Sequence, residues 1–126
     1  MSIQPLHIPQ TEETPEINFN DTQGRLIISG RSLPENAHMF YQPLIDWVKQ
    51  YAAHPAGRTE LDIKLEYFNS SSGRFLLELL SVLEEKLKDK QSVVVRWYSE
   101  HEDELMIEKG EEFSSLLEIP FEFVLE

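Results

Sequence analysis

A chain of 126 residues with 40% hydrophobic content is one domain's worth, and long enough to bury a core without disulfides or metals. Its 23 acidic and 11 basic residues give a formal net charge of −12, which repels phosphate backbones and anionic bilayers and argues against nucleic acid or a membrane surface as partner. With no cysteine there is no disulfide framework, thiolate metal site or cysteine nucleophile, and with neither a membrane-length apolar run nor a signal-peptide pattern a cytoplasmic setting is expected.

Residues 1–15 carry Pro5, Pro9 and Pro15 and read as an extended N-terminal arm, ordered at most around Leu6 and Ile8. Residues 16–20 alternate Ile17 and Phe19 against Asn18 and Asn20, the pattern of a half-buried strand. Asp21-Thr22-Gln23-Gly24 is a turn with Gly24 suited to positive φ, and residues 25–30 return as the second strand of a hairpin. Asn36 is a helix N-cap, and Phe40, Leu44, Val48 and Tyr51, with Tyr41, Ile45 and Ala52 beside them, predict a helix over 37–53. Pro43 falls inside it and removes one helical hydrogen bond, which predicts a later start or a kink. Trp47 lies off the stripe, where the edge of the core suits it better than a role as partner anchor.

Residues 59–68 set Leu61, Ile63, Leu65 and Tyr67 against Asp62, Lys64 and Glu66, a strand with one charged face. Asn69-Ser70-Ser71-Ser72-Gly73 follows. Leu76, Leu79, Leu80, Leu83 and Leu87 then predict a helix over 75–90, with Glu84, Glu85, Lys88, Asp89 and Lys90 on its solvated flank and a turn at 89–91. Val93, Val94, Val95 and Trp97 mark residues 92–98 as a central strand buried on both faces. An acidic loop or helix start at 100–104 leads to Leu105, Met106, Phe113, Leu116 and Leu117, a third helix weakened by Gly110. Phe121, Phe123 and Leu125 read as a last strand whose start, at Pro120, lies on a sheet edge. The order β-β-α-β-α-β-α-β gives an α/β fold class: a mixed sheet of about five strands with about three helices packed on it, in a single domain 1–126.

Little in this pattern supports catalysis. His7, His38, His54 and His101 share no metal-ligand spacing, so no metal site and no cofactor is expected. The serines lack the Gly-x-Ser-x-Gly setting of a nucleophile, and there is no Gly-rich phosphate loop. What remains is the hydroxyl cluster at a strand-to-helix junction. Physics alone reads it as capping, which needs one Ser or Asn and contributes about 1 kcal/mol. Asn69 and three serines exceed that need, and a phosphate there would meet the helix dipole with Arg74 close in sequence.

This alternation, with Ser70-Ser71-Ser72-Gly73 after the third strand, resembles the STAS fold of anti-sigma-factor antagonists, although the acidic residue of their Asp-Ser-Ser-Gly-type motif is missing. A closer resemblance is to the SiaC-type family of biofilm-regulation phosphoproteins, which are STAS-like. It rests on Thr14-Pro15, Gly24-Arg25-Leu26, Ile28-Ser29-Gly30-Arg31-Ser32, Pro34-Glu35-Asn36 with Phe40, Pro43, Trp47 and Tyr51, and Tyr67-Phe68-Asn69-Ser70-Ser71-Ser72. It continues through Arg96-Trp97-Tyr98, Asp103-Glu104, Gly110-Glu111-Glu112-Phe113 and Pro120-Phe121.

The resemblance implies a non-enzymatic regulatory phosphoprotein. Its unphosphorylated form would bind and activate a GGDEF-type diguanylate cyclase, raising cyclic-di-GMP; a partner kinase would add the phosphate and a PP2C-type phosphatase would remove it. Carried over from the motif asparagine, the phosphorylated position is Ser70, which stands where the best-known members carry Thr; anchored on Gly73, as in anti-sigma-factor antagonists, it is Ser71. Asn69, Ser72, Gly73 and Arg74 would form the partner-binding surface around it. The alternatives are an anti-sigma-factor antagonist and, further off, a small hydrolase or transferase.

Overall fold

In the computed structural model, which describes residues 3–87 and 92–126, six strands form one sheet in the order β1-β2-β3-β4-β5-β6. They are β1 (Leu6–Ile8), β2 (Glu16–Asn20), β3 (Arg25–Ser32), β4 (Thr59–Phe68), β5 (Val93–Ser99) and β6 (Phe121–Leu125). Three helices connect the later strands: α1 (Ala37–Ala53), α2 (Ser70–Lys86) and α3 (Glu104–Leu116). β1, β2 and β3 pair antiparallel; β3 through β6 pair parallel. Successive right-handed crossovers onto adjacent strands leave all three helices on one face.

That face is the core. Ile17, Phe19, Leu26, Ile28, Leu61, Ile63, Val95 and Trp97 point into one cluster with Tyr41, Leu44, Val48, Leu76, Leu80, Met106 and Phe113 from the helices. The opposite face is polar. Asp62 is buried there at 1% exposure, with Oδ2 accepting from Arg25 Nη2 at 3.0 Å and Oδ1 only ion-paired with Arg96 at 3.5 Å. Arg96 also pairs with Glu60 and with Glu122, and Lys64 lies 4.6 Å above the Tyr98 ring.

Several sequence expectations are refined. The N-terminal arm supplies a sixth strand, β1, and Trp47 holds it. Its indole is buried, stacks on Tyr51 at 5.4 Å, and donates from Nε1 to the Gln4 carbonyl at 2.7 Å. A three-residue strand between prolines is too short to show periodicity. Helix α1 runs unbroken past Pro43, which is exposed, as is Met39 four residues before it, so the hydrogen bond a proline cannot donate is missing on the solvent side of the helix. The buried stripe of α1 centres on Tyr41, Leu44, Ile45 and Val48, with Phe40 only half-buried. Gly24 adopts φ +69° in the hairpin turn. Helix α2 starts at Ser70, five residues before the predicted start, because low-propensity serines are tolerated in a first turn whose N–H groups have no intrahelical acceptor. The helix ends at Lys86 with Leu87 as its extended C-cap, short of the expected residue 90, and residues 88–90 and the turn expected at 89–91 lie outside the described residues.

The β3–β4 register shifts at Gly30/Arg31, so that Gly30 faces Leu65 while Arg31 faces Tyr67. Glu66 is the extra residue. One inserted residue reverses every side chain after it. Tyr67, expected on the apolar face, is therefore 44% exposed, and Phe68 is buried in its place.

Gly110 strengthens α3's packing rather than weakening the helix. A Cβ there would lie 2.6 Å from the Trp97 ring and 2.9 Å from Phe123. The missing side chain admits the indole, whose Nε1 donates to the Met106 carbonyl at 3.0 Å. Gly110→Ala should gain about 1 kcal/mol in helix propensity but lose about 1–3 kcal/mol to overpacking. Urea unfolding should show a net loss of stability; a midpoint above wild type would contradict this packing.

Arg96 hydrogen-bonds Glu60 and holds its carboxyl below the usual Glu range. A depressed folded pKa contributes stability above the unfolded pKa and loses it as pH falls through the folded one. Melting temperature should therefore fall less between pH 7 and acid in Glu60→Gln than in wild type, and parallel pH profiles would show that the pair contributes nothing.

Candidate functional site

In an open α/β sheet the carboxyl ends of the parallel strands face the N-termini of the following helices, and ligands and partners gather there. Here β3 ends at Ser32, β4 at Phe68 and β5 at Ser99, and each helix opens with a side-chain cap. Asn36 Oδ1 accepts the Met39 N–H at 3.1 Å, Asn69 Oδ1 accepts the Ser72 N–H at 2.9 Å, and Asp103 Oδ1 accepts the Met106 N–H at 3.0 Å. Three positive helix ends thus line one rim.

The middle one, the start of α2, is fastened from below. The Ser32 carbonyl accepts the Asn69 N–H at 3.1 Å and the Ser72 hydroxyl at 3.0 Å. Ser32 Oγ donates to Ser72 Oγ at 2.8 Å. Each hydroxyl has one proton, so Tyr41, whose OH meets Ser32 Oγ, must be the donor in that bond. Burial pushes the Tyr41 hydroxyl up to about 12, which keeps it protonated for this purpose. Its ring lies parallel to Phe75 of α2 at 6.1 Å. Gly73 sits over Phe68, where a Cβ would come within 3.0 Å of the ring.

The three serines therefore have different situations. Ser72 is fully buried and both sides of its hydroxyl are engaged. Ser70 and Ser71 are exposed, in the first and second positions of the helix. Of the other residues expected at the partner surface, Arg74 is exposed and Asn69 half-buried, whereas Gly73 is buried. Ser72 and Gly73 support the rim from inside.

Among the described residues no hydrogen bond joins Ser70 or Ser71 to a base, and no group of three or more His, Asp or Glu is placed to hold a metal ion. No described helix is long and apolar enough to cross a membrane. The exposed apolar side chains nearest in sequence are Met39, at 71%, and Tyr67. His38, next to Met39 in sequence, is exposed, its ring 5.9 Å from Phe75, one turn after Ser71.

Sequence reasoning missed Ser32 and Tyr41 as the fastening of the site. A signal existed. Leu26, Ile28, Gly30 and Ser32 share one parity, so Ser32 is a polar residue on the buried face and requires a buried partner.

A family model described as SiaC family regulatory phosphoprotein matches residues 8–126. An uncharacterised protein of Pseudomonas aeruginosa strain UCBPP-PA14 is 37% identical over 116 residues, 92% of each chain. The structure of SiaC of Pseudomonas aeruginosa superposes with a TM-score of 0.88 at 34% identity, covering 98% of this chain and 100% of that one. A chain in the crystal structure of the diguanylate cyclase SiaD in complex with its activator SiaC, also from Pseudomonas aeruginosa, gives a TM-score of 0.89 at 36% identity, over 96% of this chain and 99% of that one. With the family pattern running through nearly the whole sequence and the fold superposing end to end, the chain belongs to the SiaC family of regulatory phosphoproteins.

Proposed function

We propose that this chain is a non-enzymatic regulator that binds and activates a GGDEF-type diguanylate cyclase while Ser70 is unmodified, and that phosphorylation of Ser70 ends the interaction. A protein kinase and a PP2C-type phosphatase set the proportion of the two forms, in the cytoplasm. The observation that carries this reading is an exposed hydroxyl in the first turn of a helix that is fastened from beneath. The likeness to SiaC, activator of SiaD, supports the choice of partner.

The switch works by charge at a surface. A phosphoserine adds about −1.5 to −2 charges and three acceptor oxygens. At a helix N-terminus the dipole and the free N–H groups accommodate it, so the helix stays in place. The start of α2 cannot shift without breaking the Ser32–Ser72–Tyr41 hydrogen bonds. The consequence falls on the partner, which loses a neutral contact and meets a dianion. Asn69 and Arg74 border the modified hydroxyl and complete the contact surface.

Ser70→Ala should activate the cyclase as wild type does, and Ser70→Asp should lose at least about tenfold in activation, or about 1.4 kcal/mol of binding. Cyclic-di-GMP production and phosphopeptide mapping read this out. Equal activation by both variants would reject the switch. Loss in Ser71→Asp but not in Ser70→Asp would move the modified position by one residue.

Ser72→Ala should behave differently from either. It leaves buried Ser32 Oγ without its acceptor and should lower stability by about 1–3 kcal/mol. Phosphate stoichiometry after kinase treatment should stay at the wild-type value. A halved stoichiometry would identify Ser72 as a modified hydroxyl.

A further inference from the structure

We propose that the outer edge of β6 is a second docking surface, and that it takes a cationic, extended segment of a partner protein as a seventh strand. The backbone is available for this. The Pro120 carbonyl accepts the Val95 N–H at 2.9 Å, and the Glu126 N–H donates to the Ser99 carbonyl at 2.9 Å, so these groups face β5. With a period of two, Glu122 and Val124 also face β5. The N–H and C=O groups of Phe121, Phe123 and Leu125 point away from the sheet, where β6 has no neighbour among the described residues.

The side chains fit the same use. Phe123 is 43% and Leu125 48% exposed, on the strand that terminates the sheet. Edge strands are commonly blunted by proline, lysine, a bulge or shortness. The opposite edge follows that rule: β1 has three residues between Pro5 and Pro9, and the Gln4 carbonyl beside it is taken by Trp47. From Phe121 to Leu125 β6 has none of these devices.

Charge selects the occupant. Residues 100–126 contain ten of the chain's 23 acidic residues and one of its 11 lysines and arginines. That one, Lys109, lies 4.9 Å over the Phe68 ring. Glu122 on the strand is shared with Arg96. At the far end of β6, Glu100, His101, Glu102 and Glu126 line an open recess of about 360 Å³ in which three carboxylates can meet a cation. A second copy of this chain would bring the same acidic run alongside and be repelled. A segment alternating basic and apolar residues would pair the backbone, cover Phe123 and Leu125, and place cations among the carboxylates.

The test uses the whole protein and a capped octapeptide alternating lysine and valine, with its glutamate–valine counterpart as reference. Hydrogen exchange should slow at the Phe121, Phe123 and Leu125 amides with the lysine peptide only. Affinity should fall by about tenfold from low to high salt, as expected of exposed charges. Leu125→Pro removes an outward N–H while keeping every bond to β5, and should weaken binding at least about tenfold. Leu125→Lys leaves the backbone intact, should weaken it similarly, and serves if the proline variant does not fold. The proposal is overturned if the lysine peptide leaves those amides unprotected, if Leu125→Lys binds it as tightly as wild type, or if the wild type sediments as a dimer that Leu125→Lys dissociates.

Discussion

The Ser32 carbonyl accepts two hydrogen bonds from the opening of α2, and the Ser32 hydroxyl joins that opening to Tyr41 of α1. Strand, helix start and neighbouring helix are thereby fixed to one another through a buried polar chain with a single consistent proton order. Such a chain stabilises only when complete, since a buried hydroxyl left unpaired costs about 1–3 kcal/mol. Completeness has a geometric consequence. The first turn of α2 presents Ser70 and Ser71 outward while Ser72 faces inward, the third position lying about 200° around the helix from the first. One serine is buried and bonded so that its neighbours can face outward.

The bulge at Glu66 sets this up one step earlier. Without it, Phe68 would face solvent, Tyr67 would occupy the core, and Gly73 would lose the ring it rests on. The bulge is also what the sequence could not disclose. Alternation in Leu61, Ile63, Leu65 and Tyr67 is a local pattern, whereas register depends on the partner strand β3. The same limit hid β1, whose three residues acquire meaning only against Trp47 and β2. It hid Gly110's role too, since a glycine inside a helix looks like weakness until Trp97 is placed beside it. Legible features were those carried by short-range chemistry: the caps Asn36 and Asn69, the leucine stripe of α2, the Gly24 turn and the charged face of β4. The hydroxyl cluster was legible as a capped helix start, but which of its serines is buried could be read only from the buried partners.

Charge is distributed as unevenly as the hydroxyls. On the open face of the sheet Arg25 and Arg96 are occupied by Asp62, Glu60 and Glu122, an arrangement that offsets most of the charge around a buried carboxylate. Of the acid of α3 and β6, these two arginines reach Glu122 alone. The net charge of −12 is thus felt mainly at one edge of the molecule, while the rim around Ser70 has helix N-termini and Arg74.

These two surfaces are close enough to affect each other. Ser70 follows β4, and β6 is two strands away, about 10 Å at the usual strand spacing. The Debye length in physiological salt is about 8 Å, so a phosphate on the rim is screened but not silent at the edge. A folded partner covering about 800 Å² of the rim would also reach β6 by its size alone. The two effects have opposite signs for a cationic strand on β6: the phosphate attracts it, and a partner seated on the rim crowds it. On the proposed switch, phosphorylation of Ser70 would remove the second and add the first. A modification that ended the one proposed interaction would therefore favour the other, through charge and excluded volume and without any movement of the fastened helix between them.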